Sequence, residues 1–395
     1  MEEVRRRVRH ADAEERRAAR EAIGALARPR MCGSDGAREV DAVLRSLFEG
    51  VGYQIQELPF HFSTWPGCYG VAAAGALYLT GMLAAVALLV RGAGGAMVMA
   101  VLLTLPLLFF ALARSLPALI ASLPWGRTAG ANWLVSRPGA RPRTLIVAHR
   151  DSKSQPFSTL GRTLAVATAV LAWAALLLLA GALVVDAESR WIGGSAALEG
   201  ATLTVGTLAL LAGCVLLFCR AGNDSPGALD NATGLAALIG IARREAAYDD
   251  VAFLVTDGEE LGLAGAGAAA PLLPPALDVI NLDSLDDVGS FYLVERYGWP
   301  RRGEAPRPAA ALRGAAEALE LPIAARDLPP GILVDHIPLA AAGHAALTLF
   351  KGERRSFLRI HRPADCAECL SGEGAATAVA LVSGALALLR ESAVR

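Results

Sequence analysis

Charge of one sign is missing from this chain: 37 Lys and Arg stand against 38 Asp and Glu, for a formal net charge of −1. That balance removes any global electrostatic case for nucleic acid or for a strongly acidic partner. Cysteine is sparse. The six residues, Cys32, Cys68, Cys214, Cys219, Cys366 and Cys369, are too few and too dispersed for a disulfide scaffold. Cys214 and Cys219 fall in apolar sequence, where buried thiols are expected. Cys366 and Cys369 lack the second pair of a zinc ribbon and read as a local loop feature or a disulfide, which a reducing cytoplasm would disfavour. The charged stretch running to about Arg30 lacks the apolar core of a signal peptide. Its mixed Arg and Glu at helical spacing predict a solvated helix face. No internal repeat is present.

Apolar sequence is abundant: 54% of residues are hydrophobic and the mean hydropathy is +0.42. It is concentrated in segments of about the ~20 residues that span a bilayer, at Gly67–Val90, Gly94–Ala113, Thr163–Val185 and Gly200–Cys219. None carries an internal charge, and helices apolar all round at this length are unusual in a soluble domain, so four transmembrane helices are expected. They form two hairpins, one turning at Arg91–Gly94 and the other between Asp186 and Glu199. Residues 1–66, 122–162 and 220–395 then share one side of the bilayer as a single discontinuous domain, with hairpins at 67–121 and 163–219. The far side carries Arg91 and Arg190 with Asp186, Glu188 and Glu199. The near side carries Arg114, Arg127, Arg150, Lys153, Arg162 and Arg220, which predicts a cytoplasmic polar domain.

The remaining sequence alternates strands and helices. A helix is expected at Arg38–Gly50, followed by a strand from Tyr53 that ends near Pro59. Further strands are predicted around Asn132–Ser136, Thr144–Ala148, Val251–Thr256 and Asp278–Leu282, with helices near Asn231–Arg244 and after Gly262. This order predicts an α/β domain with a largely parallel or mixed central sheet. Three potential metal ligands follow separate strands: His149, Glu260 (beside Glu259) and Asp283. In open α/β sheets, ligands collect outside the carboxyl ends of strands. With Asp230 and His361, the carboxylate and imidazole mixture suits two divalent cations, zinc first.

These residues stand in strings that resemble the cocatalytic zinc aminopeptidases, the family typified by bacterial leucyl aminopeptidases and aminopeptidase Y, with glutamate carboxypeptidase II as a relative. The strings are Arg30 to Ser34, His149-Arg-Asp151-Ser152, Gly227-Ala-Leu-Asp230-Asn-Ala-Thr-Gly234, Asp257-Gly-Glu259-Glu260-Leu-Gly262, Asn281-Leu-Asp283, Asp335-His336-Ile-Pro-Leu339, and His361-Arg-Pro-Ala-Asp365. The resemblance implies a three-layer fold with a mixed sheet flanked by helices. It implies two zinc ions bridged by Asp230, with His149 and Asp283 completing one and Glu260 and His361 the other. Glu259 would be the general base, and Asp151 the further catalytic carboxylate, orienting the His149 imidazole. Asp335 and His336 are candidate substrate contacts; His344 is expected to be structural, and Asp257 a turn or cap residue. The chain departs from the family in the long stretch between His149 and Asp230, which holds the second hairpin, and in Leu339, where the family usually has an aromatic residue.

The function expected on these grounds is that of a membrane-anchored zinc exopeptidase, an aminopeptidase acting on peptides. Alternatives are a glutaminyl-cyclase-like acyltransferase with one zinc, a carboxypeptidase, and a non-catalytic membrane scaffold that kept the fold. A transporter is disfavoured because the apolar segments carry no charge to mark a pathway. Because His149 and Asp230 flank the second hairpin, hydrophobic or membrane-derived peptides are the expected substrates. Oligomeric state is not legible.

Overall fold

The computed structural model describes residues 9–189, 196–329 and 331–394, and no side chain of residues 186–199 or 393–395. The first residues of the charged N-terminal stretch and the far-side charges Asp186, Glu188, Arg190 and Glu199 therefore lie outside the described residues or side chains. The described chain divides into two compact units, one comprising residues 1–62, 127–154 and 222–395, the other residues 63–126 and 155–221.

The first unit is built on an eight-stranded sheet: β1 (Gln54–Ser63), β2 (Arg127–Ser136), β3 (Thr144–His149), β4 (Val251–Thr256), β5 (Asp278–Leu285), β6 (Ser290–Arg296), β7 (Ile323–Asp327) and β8 (Ala345–Gly352). Their order is β1-β2-β4-β3-β5-β8-β6-β7. The central strands β4, β3, β5 and β8 run parallel, whereas β2 joins β4 and β6 joins β8 antiparallel. Parallel strands covered on both faces read as continuous apolar runs, and their alternate side chains serve different layers. Ile146, Phe253, Val255, Ile280 and Leu282 face one core; Leu145, Val147, Ala252, Leu254 and Val279 face the other. The first core is closed by α1 (Ala13–Leu26), α2 (Asp35–Glu49), a later helix at Thr233–Arg244, another at Pro306–Ala318, and the C-terminal helix Glu373–Val394. The second is closed by the short helices Ala264–Ala269 and His336–Ala341. Each fully buried Leu or Ile contributes about 1.5–3 kcal/mol.

Several expectations need adjustment. β1 runs through Pro59 to Ser63 because it is an edge strand, where the missing N–H costs no ladder bond. α1 is solvated on one face only: Ala19, Ile23 and Leu26 are buried, while Asp12 and Glu15 cap its start reciprocally. The C-terminal helix is long and apolar enough to cross a membrane, yet 67% of its apolar window is buried inside the fold, where it packs against the Pro306–Ala318 and Thr233–Arg244 helices.

The second unit contains α3 (Trp65–Val90), α4 (Gly95–Ser122), α5 (Thr159–Ser189) and α6 (Ala196–Leu217). With the C-terminal helix, these make five helices among the described residues that meet the length and hydropathy of a membrane span. α4 continues past Arg114, which therefore lies inside the helix rather than beyond it. The four helices pack in a ring, α3 against α4 and α6, and α5 against α4 and α6. Its interior is narrow, filled by Met82, Leu102, Leu176 and Ala209, while Leu107, Phe110, Leu171 and Leu178 face outward. Cys214 is exposed on that outer face, contrary to the buried thiol expected, whereas Cys219 is buried. The Tyr78 hydroxyl donates to the Ala169 carbonyl and the Trp173 indole to that of Leu102.

Both insertions leave the sheet domain where its chain closes on itself: β1 and β2 are neighbours, and Ser154 and Gly222 form an antiparallel bridge. Close helix approach in the second unit depends on small residues. A Cβ on Gly75 would stand 2.6 Å from the Leu216 carbonyl carbon. We expect Gly75→Leu to force α3 and α6 apart at a cost of about 1–3 kcal/mol, seen as a lower midpoint of thermal unfolding in detergent.

Candidate metal centre

β3 lies between β4 and β5, so the connections leaving its carboxyl end diverge and open a crevice there. His149 ends β3, in register with Thr256 at the end of β4. Glu259 and Glu260 stand in the turn after β4, and Asp283 lies near the end of β5. One carboxylate organises two of these strand ends: Asp151 accepts the main-chain N–H groups of Glu259 and Glu260, each at 3.1 Å. The Asp151 carboxylate is thus engaged differently from expectation. His149 Nδ1 donates to the Asp151 carbonyl oxygen at 3.1 Å, with carboxylate Oδ1 farther away at 3.7 Å. A carbonyl can only accept, so this bond selects the tautomer that leaves the Nε2 lone pair free for a cation.

Asp230 sits on an irregular turn that opens with Gly227 at φ +59. A Cβ at Gly227 would meet the Asp230 carbonyl oxygen at 2.5 Å and Ser152 at 2.7 Å, which is why glycine stands there. The turn is tied to β5 by Asn231, whose side-chain amide donates to the Leu282 carbonyl at 2.8 Å and accepts from the Ser284 amide at 3.3 Å. From the other side, the Asp365 carboxylate accepts the amides of Leu229 (2.8 Å) and Asp230 (3.2 Å).

The outcome is a two-sided carboxylate. Asp230 Oδ1 lies 3.1 Å from His149 Nε2, and Asp230 Oδ2 lies 3.1 Å from His361 Nε2. His361 Nε2 is also 3.2 Å from Glu260 Oε2. Zinc bonds of about 2.0–2.1 Å in a tetrahedron place neighbouring ligand atoms about 3.3–3.4 Å apart, close to these separations. Two sets, His149 with Asp230 and Asp283, and Asp230 with Glu260 and His361, each offer ligand atoms within 4.8 Å of one another. All five residues have at most 9% of their surface exposed. So many buried carboxylates need compensating positive charge, and Glu260 Oε1 has no hydrogen-bond partner. The donor set therefore fits a pair of zinc ions.

The ionisation pattern follows from burial and crowding. Burial pushes Glu259 well above the usual carboxylate range, with Glu260, Asp335 and Asp283 adding to the shift and His149 opposing it. Burial, reinforced by Asp230, raises Asp283 to about 6. Burial works against the Glu260 charge, but His361 and Lys153 outweigh it and hold the group at about 2. His149 is raised well above the imidazole range despite its burial, by Glu259, Asp151 and Asp230.

Two cations that sequence reasoning did not assign to the site belong to its frame. The Lys153 ammonium, counted in the sequence only as a near-side charge, lies 2.7 Å from Glu260 Oε2. The fully buried Arg30 guanidinium donates to the carbonyls of Arg150 (2.6 Å), Pro226 and Gly227 (2.9 Å). It thereby clamps the His149–Ser152 segment to the Asp230 turn across the point where the second hairpin is inserted. Arg150 itself spans Asp41 (2.9 Å) and Asp257 (3.2 Å) and covers the Trp133 ring. Asp257 is therefore a buried ion-pair partner rather than a simple turn residue. The available signal for Lys153 was its place four residues after His149; its contact with Glu260 is tertiary.

Asp335 joins the site's electrostatic neighbourhood and His336 does not. The Thr256 hydroxyl donates to Asp335, whose carboxyl burial raises to about 7, with Asp151 and Asp283 adding and His149 opposing. His336 instead bonds the Thr348 hydroxyl through Nδ1 at 2.8 Å and packs edge-on to Tyr297. Burial lowers its pKa to about 4, so the imidazole is neutral at neutral pH. His344 Nδ1 accepts the Leu277 amide, a structural role.

Comparison with known proteins agrees with this geometry. Residues 212–386 match the profile of Peptidase family M28. The match contains Asp230, Glu259, Glu260, Asp283, Asp335, His336 and His361, while His149 and Asp151 precede it. That match supports a zinc-dependent metallopeptidase. No curated protein sequence matches it. Solved structures that share the fold include an aminopeptidase from Aneurinibacillus sp. strain AM-1, at 14% identity and TM-score 0.52 over 97% of this chain and 94% of that one. A zinc aminopeptidase from Bacillus subtilis is similar at 14% identity and TM-score 0.52, covering 94% of each chain. A glutaminyl cyclase from Fimbriiglobus ruber shows 16% identity and TM-score 0.51, covering 95% of this chain and 96% of that one.

Removing Arg30 leaves buried carbonyls without a donor, each worth about 1–3 kcal/mol. Arg30→Met should therefore lose at least about 3 kcal/mol in chemical denaturation, and Arg30→Lys should recover only part, since an ammonium does not reproduce the planar fork. The metal-free sheet domain should also lose stability as pH rises. Asp283, Asp335, His149 and His361 hold protons in the folded state that the unfolded chain releases sooner. Their contribution is complete at low pH and disappears as pH passes the raised folded values. With chelator, the denaturation midpoint should fall from about pH 4.5, above the usual aspartate value, through the folded values of about 6 and about 7 at Asp283 and Asp335; zinc, which binds deprotonated ligands, should reverse that trend.

Proposed function

We propose that the protein is a membrane-anchored aminopeptidase that removes residues from peptide amino-termini. Two zinc ions would be shared by Asp230, with His149 and Asp283 holding one and Glu260 and His361 the other. The observation carrying this reading is the Asp230 carboxylate, each of whose oxygens lies 3.1 Å from a different imidazole. When bound, the zinc pair would polarise the scissile carbonyl and lower the pKa of the attacking water. Glu259 is the general base. Its carboxyl is buried, held by that burial well above the usual carboxylate range and adjacent in sequence to a ligand, so it can take a proton from water and return it to the leaving amine. Asp151 acts through others, orienting His149 by its carbonyl and the Glu259–Glu260 turn by its carboxylate. Lys153 holds Glu260 ionised and ready as a ligand.

Membrane attachment is supported by the outward-facing Leu107, Phe110, Leu171 and Leu178 of a narrow helical ring. Trp65, Tyr69 and Trp125 cluster where the first hairpin begins and ends, the position of an interfacial aromatic belt. The excess of Arg and Lys on that side supports a cytoplasmic M28 domain. Hydrophobic or membrane-derived peptides are the proposed substrates. A second reading, a glutaminyl-cyclase-like acyl transfer with one zinc, draws on the fold shared with the Fimbriiglobus ruber glutaminyl cyclase.

Metal analysis of the purified chain, with peptides bearing free, blocked or glutamine amino-termini, separates the two. We expect two zinc ions per chain and cleavage of free amino-termini only, with Glu259→Gln retaining zinc but losing about 10²–10⁴ in rate. One zinc and cyclisation of amino-terminal glutamine would favour acyl transfer; no metal and no turnover would leave a scaffold. For orientation, Arg91→Cys should react with an impermeant maleimide in right-side-out vesicles, and Cys369 only in inverted ones; the opposite pattern would put the M28 domain outside.

A further inference from the structure

The segment that carries His361 ends in two thiols that the proposed reaction does not use. Cys366 and Cys369 bracket the short helical turn Ala367–Cys369, and their sulfurs lie 3.3 Å apart. Cys369 is exposed and Cys366 half-buried, so reagents in solution reach the pair. A disulfide of about 2.05 Å needs the sulfurs to close by about 1.3 Å, within the reach of side-chain rotation. The turn is already tight, with the Cys369 amide on the Cys366 carbonyl at 3.3 Å.

The position of this pair matters because Asp365 directly precedes it. The Asp365 carboxylate accepts the Leu229 amide at 2.8 Å and the Asp230 amide at 3.2 Å, and its carbonyl accepts the Ala228 amide at 3.1 Å. Asp365 is the outer anchor of the turn that presents Asp230. Any constraint on the chain just beyond Asp365 limits how far that anchor can swing away.

We propose that Cys366 and Cys369 form a reversible intramolecular disulfide that braces the Asp365 anchor of the Asp230 turn. The exposed Cys369 thiol loses its proton to water and attacks one sulfur of a small external disulfide, such as oxidised glutathione, releasing one glutathione thiolate. Cys366, deprotonated in turn, attacks the Cys369 sulfur and releases the second glutathione. Two electrons pass from the cysteine pair to the external disulfide, and each glutathione thiolate takes up a proton. The hydrogen bond with Cys369 is the main cause pushing the Cys366 thiol up to about 11. Once Cys369 is held in the mixed disulfide, that cause is removed and the second attack becomes easier.

The test uses the full-length protein in detergent, equilibrated with reduced or oxidised glutathione. Thiols are counted by alkylation and mass spectrometry, and hydrogen exchange is followed at the Ala228, Leu229 and Asp230 amides. We expect oxidation to remove Cys366 and Cys369 from the alkylatable set together, dithiothreitol to restore them, and the three amides to exchange about 3- to 10-fold more slowly in the oxidised form, below the limit set by loop-closure entropy. The single variants Cys366→Ser and Cys369→Ser should lose both responses. Thiols that stay free under oxidised glutathione, or a disulfide that leaves exchange at Ala228–Asp230 unchanged or faster, would overturn the proposal. Neither readout needs bound zinc, so a failure here is distinct from a failure of the dizinc reading.

Discussion

The carboxylate of Asp230 faces two imidazoles at once, with 3.1 Å from each oxygen to a different ring nitrogen. A buried carboxylate in that position has no room to relax toward one partner without abandoning the other. The surrounding structure keeps it balanced. Asp365 holds the Leu229 and Asp230 amides from one side, Asn231 ties the turn to β5 from the other, and Gly227 supplies the conformation and the space. Arg30 adds a buried cation whose planar fork reaches three carbonyls on the two segments that must meet. Opposed against this frame, the negative charge of Asp230, Glu259, Glu260 and Asp283 is exchanged for cations or protons, and the raised pKa values of Glu259 and Asp283 express that competition.

The same frame explains how the sheet domain tolerates two long insertions. The first enters between neighbouring strands β1 and β2, and the second between Ser154 and Gly222, which are bridged. Each pair of ends is joined by hydrogen bonds belonging to the sheet domain, so the inserted helices need not contribute to holding the metal-ligand segments in place. The inserted unit has its own core, made by small residues that let helices approach closely. It exposes apolar side chains that a bilayer would cover.

Much of this is legible in the amino-acid sequence. Strands β3, β4 and β5 are apolar runs followed at once by His149, Glu259–Glu260 and Asp283, so the parallel centre of the sheet and the crevice at its carboxyl end could be read together. The apolar segments were equally plain. Harder to see were features set by partners far away in sequence. The continuation of β1 through Pro59 depends on its edge position. Lys153 looks like one more surface charge until the turn carrying Glu260 folds over it. Asp151 was expected to spend its carboxylate on His149, but two main-chain amides after β4 claim it, and only the tertiary fold brings them within reach. β6, β7 and β8 carried no motif and no clear period, and their placement follows from pairing with β5 and one another.

The central claim is that Asp230 bridges two zinc ions. Anomalous diffraction at the zinc edge, from crystals of the zinc-loaded protein, tests it most directly. The account predicts two peaks about 3.5–4 Å apart, each about 2.0–2.2 Å from a different Asp230 oxygen. One peak should be completed by His149 and Asp283, the other by Glu260 and His361. A single peak, or two peaks that do not share Asp230, would contradict it.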